Sequence, residues 1–265
     1  AISVGACNSL ENDWDRAMYS AMGPGRSPGL IKPDVLHFGG DNDNLFHVVS
    51  HGKKPTLSRT GGTSFASPYV LHTALNIRSE LGLQIGPLGL KALLINRAEQ
   101  QENHSQINAG WGRVPSDLNK LLLCEDGQAR IVYEGTLRPG SFVRAPIPMP
   151  KGAIPGMVTI TATFCFASEI DPTDSASYTR SGLEITFRPD IGKFGDDKSK
   201  HPKSETFFSA GQYSSEIERR KDGHKWDTVL HKSKNKRGTS LHDPVFDIHY
   251  NARERGHLTR KGKEI

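Results

Sequence analysis

The sequence predicts an α/β segment followed by an antiparallel β-rich domain, and three observations support this fold class. Before about residue 125, glycine-rich loops alternate with stretches whose apolar residues recur at helical spacing. After that point the helical spacing disappears, and short strand-like runs are separated by turn residues. Across residues 158–166 apolar side chains alternate with threonine and cysteine, which is the period of a strand with one buried face. We therefore predict two domains, at residues 1–124 and 125–265.

The second domain is predicted to consist of strands. Strand-like runs cover residues 129–133, 141–145, 157–167 and 182–187, and two later apolar segments, 226–230 and 244–250, suit returning strands. An antiparallel β-sandwich or jelly-roll-like fold accommodates these runs.

The C-terminal stretch is basic. Residues 190–265 carry seventeen Lys and Arg against twelve Asp and Glu, an excess that equals the net charge of +5 of the whole chain. We interpret the basic run at 232–237 as a solvated hairpin loop. Contact with nucleic acid or an acidic partner is the alternative, which the interleaved acidic residues disfavour.

A seven-residue motif, Gly-Thr-Ser-Phe-Ala-Ser-Pro at residues 62–68, is the strongest indication of function. A serine hydroxyl attacks a carbonyl efficiently only when a base takes its proton and donors stabilise the oxyanion. Gly62 lets the backbone approach a substrate closely, and the small Thr63 leaves the turn uncrowded. The alternative is a Gly-Ser turn that begins an ordinary core helix, and five fixed positions in seven disfavour it.

The residues after the motif predict a helix. Apolar side chains recur at roughly helical spacing at Phe65, Tyr69, Val70, Ala74, Ile77 and Leu81. Ser64 is therefore expected at the N-terminus of a buried helix, where its backbone N–H and the helix dipole could stabilise an oxyanion. A second helix is predicted to begin at Gly86-Pro87.

The motif resembles the nucleophile motif of subtilisin-like serine proteases, the subtilases of peptidase family S8. Four flanking segments also resemble that family: Ile-Ser-Val-Gly-Ala at 2–6, Ser-Ala-Met-Gly-Pro at 20–24, Lys-Pro-Asp-Val at 32–35 and Gly-Trp-Gly-Arg-Val at 110–114. The resemblance implies a partial subtilisin-like parallel sheet with helices, the C-terminal portion of a catalytic domain. It implies a serine endopeptidase that forms an acyl-enzyme on Ser64, with Gly62 and Thr63 close to the substrate or oxyanion. Many subtilases continue the Lys-Pro-Asp-Val segment with Ala-Pro-Gly, whereas this chain continues with Leu-His-Phe-Gly-Gly at 36–40.

The family's other catalytic motifs are not found in the sequence. Neither Asp-Thr/Ser-Gly nor His-Gly-Thr/Ser occurs, and the family's oxyanion asparagine would precede Ala1. His51 begins the nearest imitation, His-Gly-Lys, and we interpret it as a surface-loop residue. His72 lies eight residues after Ser64 on the predicted helix, about 12 Å along its axis and too far to share a proton.

We therefore expect a protease fragment whose catalytic Asp and His lie upstream, and which is inactive by itself. The alternative is a catalytically silent fragment or pseudoprotease whose β domain is a binding or scaffolding module.

The remaining residues give few indications of cofactors or compartment. Cys7, Cys124 and Cys165 show no disulfide pattern or zinc-ligand spacing, which favours a reducing compartment such as the cytoplasm and leaves secretion open. We expect no metal and no cofactor in this chain, with calcium left open for the upstream part. No apolar run approaches the ~20 residues of a membrane helix. The expected partner is a protein or peptide substrate, and the oligomeric state stays open.

Overall fold

The computed structural model describes residues 1–25, 29–41, 43–52, 54–152, 154–174, 178–195, 200–208, 226–252 and 263–264. The chain forms two compact units, of which the first ends at Val132 and the second begins at Tyr133. The boundary predicted from composition, after residue 124, lies slightly earlier.

Two parallel strands form the centre of the first unit. β1 (Val4–Cys7) pairs in parallel with β2 (Val35–Phe38). On the other side of β2, Leu36 accepts a hydrogen bond from Val114 and donates one to the carbonyl of Gly112, so this segment extends the parallel sheet. A parallel sheet needs apolar cover on both faces, and buried side chains lie on both sides of β1. The two clusters are Ala6, Ala17 and Ala66 on one face, and Cys7, Trp14, Leu36 and Ala109 on the other.

Four helices accompany this sheet. They are α1 (Thr63–Leu81), α2 (Pro87–Asn96), α3 (Gln106–Ala109) and α4 (Leu118–Leu122). The two helices predicted at Ser64 and at Gly86-Pro87 are therefore present. The buried face of α1 differs from the predicted one, because the buried residues are Ala66, Val70, Thr73 and Ile77. Tyr69 and Leu81, predicted to be buried, are 37% and 40% exposed.

An antiparallel hairpin connects β2 to α1. It consists of β3 (Phe46–Ser50) and β4 (Thr56–Thr60). His51 lies in the exposed turn between the two strands, as predicted for a surface-loop residue. It follows that His51 does not head a helix.

A buried carboxylate holds the start of β1, the start of β2 and α2 together. Asp34 is 2% exposed, and its Oδ2 accepts hydrogen bonds from the backbone N–H of Ser3 and from Lys32 Nζ, both at 2.7 Å. Lys91 Nζ on α2 lies 3.3 Å from its Oδ1. Burial by itself would raise the pKa of Asp34, but the two lysines and the Ser3 N–H outweigh it and hold this pKa below its ordinary value. The Asp of the Lys-Pro-Asp-Val segment therefore forms structural ion pairs with Lys32 and Lys91.

Replacing Gly110 by alanine is expected to lower the free energy of unfolding by roughly 4 kcal/mol. Its φ of 60° and ψ of −129° suit glycine, and an added Cβ would lie 1.9 Å from the carbonyl oxygen of Pro33. Urea unfolding followed by circular dichroism measures the change. Gly127→Ala is the matched control, because Gly127 also has a positive φ but an added Cβ meets no atom within 4 Å. Equal losses in the two variants would show that the contact with Pro33 does not matter.

The second unit is built from antiparallel strands. β6 (Phe142–Pro146), β10 (Val245–Ala252) and β8 (Ser181–Arg188) form one sheet in that order. β7 (Met157–Cys165) pairs with β9 (Val229–Arg237), and β5 (Thr136–Leu137) pairs with β11 (Lys263–Glu264). Side chains from the first two sheets share one hydrophobic cluster, which includes Ala145, Ile160, Ala162, Leu183, Phe187, Phe246 and Ile248. Residues 129–133, predicted as a strand, have no regular secondary structure.

The basic run at 232–237 lies within β9, so its interpretation as a hairpin loop is wrong. Lys234 pairs with Ile160 of β7 and therefore lies on the face that carries the core. Its amine is 5.8 Å from the ring centre of Phe207 and donates to the carbonyl of Thr206. Lys236 forms an ion pair with Glu205. These lysines lay their aliphatic stems along the core and keep their amines at its margin, which also discourages other strands from pairing with β9.

Candidate active site

Ser64 is the second residue of α1, and its side chain is exposed. Gly62 precedes the helix as its N-cap, and the Phe65 N–H donates to the Gly62 carbonyl at 3.0 Å. Because glycine has no side chain, the N-cap places no side-chain oxygen on the backbone N–H groups of the first turn. These N–H groups and the positive end of the helix dipole lie beside the Ser64 hydroxyl. Thr63, the first helical residue, is half-buried.

The turn before Ser64 is attached to the end of β2. The Gly62 N–H donates to the carbonyl of Gly39 at 2.9 Å. A Cβ on Gly39 would lie 2.7 Å from the Cβ of Ala6 and 2.9 Å from the carbonyl oxygen of Gly62. Residue 39 therefore has to be glycine, although the flanking residues at 36–40 depart from the family pattern. Tyr19 supports the same corner by donating its hydroxyl to the carbonyl of Gly40. The sequence offered one indication of this support, the adjacent glycines 39 and 40, and none for Tyr19.

Aromatic rings connect the hairpin to the residue after Ser64. The ring centre of Phe46 lies 5.0 Å from that of Phe65 and 5.9 Å from that of Phe38, with stacked planes in both pairs. Phe38 is the last residue of β2, so strand, hairpin and helix meet around Phe46. Stacked rings add stability beyond their buried area, and the start of α1 is fixed on this side as well.

His37 lies in β2 beneath α1. It is 0% exposed, and its ring stacks on that of Tyr69 with the centres 4.4 Å apart. Burial lowers the pKa of His37 to about 4, the backbone of Phe38 partly opposes this shift, and Arg113 adds to it. The imidazole is therefore neutral at pH 7. Neither ring nitrogen has a well-formed hydrogen bond with a described residue, so His37 does not act as a base for Ser64.

The stability of the first unit is expected to fall in acid because of His37. Its pKa is about 4 in the folded chain and 6.5 in an unfolded one. The stabilisation is thus complete above pH 6.5, declines as the pH falls towards 4, and amounts to about 3 kcal/mol. Urea midpoints measured from pH 4 to 7 test this, and His37→Phe should flatten the profile. His231→Phe is the control, since the pKa of His231 is also about 4 but lies in the second unit. An unchanged profile for His37→Phe would contradict the prediction.

His72, the other histidine considered as a base on the helix of Ser64, does not contact Ser64 either. His72 Nε2 is 3.1 Å from the Nδ2 of Asn76 on the outer side of α1. Among the described residues, no histidine or carboxylate forms a hydrogen bond with the Ser64 hydroxyl. The structure thus brings Gly62, Thr63 and Ser64 together at one helix terminus and adds no base to them.

Part of the first unit is similar to a known protein family. Residues 1–112 match the model of the subtilase family, Peptidase_S8. This segment is similar to subtilases. No protein in the curated set matches the chain. The subtilase match includes the start of α1 and ends at Gly112, beside β2, whereas residues 133–265 lie outside it. The match over residues 1–112 supports a peptidase, a hydrolase of peptide bonds.

The cysteines of the chain are structural or solvent-facing. Cys7 in β1 and Cys165 in β7 are buried, while Cys124 is exposed, and none of the three forms a disulfide. Burial raises the pKa of Cys7 to about 12. The Cys7 thiol is therefore protonated at neutral pH and is not a nucleophile.

Neither a metal centre nor a membrane helix is found in the described ranges. No three or more histidine, cysteine or carboxylate side chains gather there in a group able to hold a metal ion. None of the helices in these ranges is long and apolar enough to cross a bilayer.

Proposed function

We propose that this chain is part of a subtilisin-like serine endopeptidase in which Ser64 is the nucleophile. The observation that carries the proposal is the exposed Ser64 hydroxyl at the N-terminus of α1, behind a glycine N-cap that is fixed to β2. The family match over residues 1–112 supports the peptidase class. Substrates are then proteins or peptides.

In the proposed mechanism Ser64 Oγ attacks the scissile carbonyl carbon and transfers its proton to a histidine. That histidine, and an aspartate that orients it, belong to sequence upstream of Ala1. The backbone N–H of Ser64 and the dipole of α1 stabilise the oxyanion of the tetrahedral intermediate. Collapse of the intermediate expels the amine, which takes up the proton from the histidine, and leaves an ester on Ser64. Water then hydrolyses the ester with the same histidine as base.

The residues of this chain position the nucleophile rather than activate it. Gly62 and Thr63 shape the approach of the substrate to the helix terminus. Gly39 and Tyr19 hold the preceding turn at the end of β2. With one triad member and no base, the 265-residue chain alone should hydrolyse peptides negligibly.

For the second unit we propose an antiparallel β-sandwich that accompanies the catalytic domain. The support is the single hydrophobic cluster shared by the sheets β6–β10–β8 and β7–β9. Lys234 and Lys236 of β9 are engaged with Phe207, Thr206 and Glu205, which argues against nucleic acid as a partner of this run. We further propose that the chain requires no cofactor, and that a reducing compartment suits its cysteines.

The test is to translate the source gene upstream of the codon for Ala1 and to assay the encoded protein for peptide hydrolysis. We expect Asp-Thr/Ser-Gly followed by His-Gly-Thr/Ser, and an active protease. A start codon close to Ala1 without these motifs would contradict the proposal. Function would then be sought in the second unit, as a binding or scaffolding module.

A further inference from the structure

The hairpin of β3 and β4 carries an exposed apolar pair. Val49 and Leu57 face each other across the two strands, and their side chains are 75% and 74% exposed. Directly opposed residues have Cβ atoms about 5 Å apart, so Val49 and Leu57 form one continuous apolar surface. His47 and Arg59, the next pair on the same face, are also exposed.

All formally charged residues of the hairpin are basic. Residues 45–60 contain Lys53, Lys54 and Arg59 and no Asp or Glu. Because Arg59 lies two residues from Leu57 on the same strand, its side chain points to the face of the apolar pair. An apolar surface bordered by a cation fits a partner that combines apolar with acidic residues.

The hairpin also has main-chain groups available for a further strand. Its sheet has two strands, and neither outer edge is paired with another strand in the described part of the chain. An extended peptide can join such an edge through backbone hydrogen bonds, with every second side chain on one face. A peptide in which acidic and apolar residues alternate would suit Arg59 and the apolar pair.

The position of the hairpin relative to the nucleophile is fixed. Phe46 at the base of β3 stacks on Phe65, which directly follows Ser64, and on Phe38. A peptide held on the hairpin would therefore be tethered at a constant place relative to the start of α1, which raises its effective concentration there.

We propose that the β3–β4 hairpin is an exosite that binds an extended, acidic and apolar segment of the protein substrate. The identity of the partner as a substrate rests on the proposed peptidase function, whereas the binding itself requires no cleavage. Val49 and Leu57 supply the apolar contact, and Arg59 selects for carboxylates.

The experiment titrates the 265-residue chain into a fluorescein-labelled peptide in which Asp alternates with Val, and follows fluorescence anisotropy. We expect saturable binding that weakens as salt is added. The double variant Val49→Ser/Leu57→Ser and the single variant Arg59→Glu should each bind about tenfold more weakly. A matched peptide with Lys in place of Asp should bind the unaltered chain at least about tenfold more weakly than the Asp peptide does.

The matched control is Leu71→Ser/Leu75→Ser, which removes two exposed leucines of α1 that are 60% and 55% exposed. This variant should bind the peptide as the unaltered chain does. Absence of binding, equal loss in the control variant, or unchanged affinity after Arg59→Glu would each overturn the exosite. Because the assay records binding without cleavage, none of these results bears on the role of Ser64. Arg59→Glu changes an exposed residue, so it keeps the proposal testable if the double serine variant unfolds.

Discussion

If the proposed function is right, replacing Ser64 by alanine in the full-length protein is expected to abolish peptide hydrolysis, lowering kcat by about a millionfold. Removal of the nucleophile of subtilisin causes a loss of about this size. The physical reason is that, in the proposed mechanism, Ser64 Oγ forms the acyl-enzyme bond. Initial rates on a fluorogenic peptide measure the effect, and the thermal melting temperature shows whether the fold is intact.

Ser67→Ala is the matched control for this experiment. Ser67 is an exposed serine of the same helix, one turn after Ser64, and it should keep nearly full activity. If Ser64→Ala and Ser67→Ala were equally active, Ser64 would not be the nucleophile. If both were inactive, the first turn of α1 would matter through its structure.

Replacing Asp34 by alanine is expected to lower the free energy of unfolding by about 3–5 kcal/mol, because it leaves two partly buried lysines without their partner. Lys91, whose side chain is 13% exposed, would lose the carboxylate 3.3 Å away. The backbone N–H of Ser3 would lose its acceptor as well. Urea unfolding at pH 7, followed by circular dichroism, gives the change.

Asp43→Ala is the control for Asp34, since Asp43 is an exposed aspartate of the same unit. Its loss should stay within about 0.5 kcal/mol. A change for Asp34→Ala as small as that of the control would show that the ion pairs do not hold β1, β2 and α2 together.

Part of the site was predictable because its chemistry is local in sequence. A glycine N-cap, a serine in the first helical turn and a proline soon afterwards are neighbours in the chain, so the motif at 62–68 predicts the start of α1. The burial of that helix was predicted less well. Apolar residues occur around α1 on more than one side, with Leu71 and Leu75 exposed and Val70 and Ile77 buried. Spacing alone does not show which side meets the sheet.

The basic run of β9 illustrates a different limit. Six consecutive polar residues suggest a solvated loop by composition, yet they pair with residues 157–162 of β7. The long stems of Lys234 and Lys236 are apolar, and only the tertiary structure shows Phe207 and Phe187 against which they lie. Asp34 is similar, because its partner Lys91 is far away in the sequence.

The sequence by itself determined the resemblance of residues 1–112 to subtilases, the proposal of Ser64 as nucleophile and the start of its helix, since these depend on residue types at short, fixed spacing. The tertiary structure decided that Asp34 is an anchor, that His37 is a buried neutral imidazole, and that Phe46 joins the hairpin to α1. These roles depend on contacts between residues far apart in the chain. Such contacts arise from packing and desolvation, which no short stretch of sequence records.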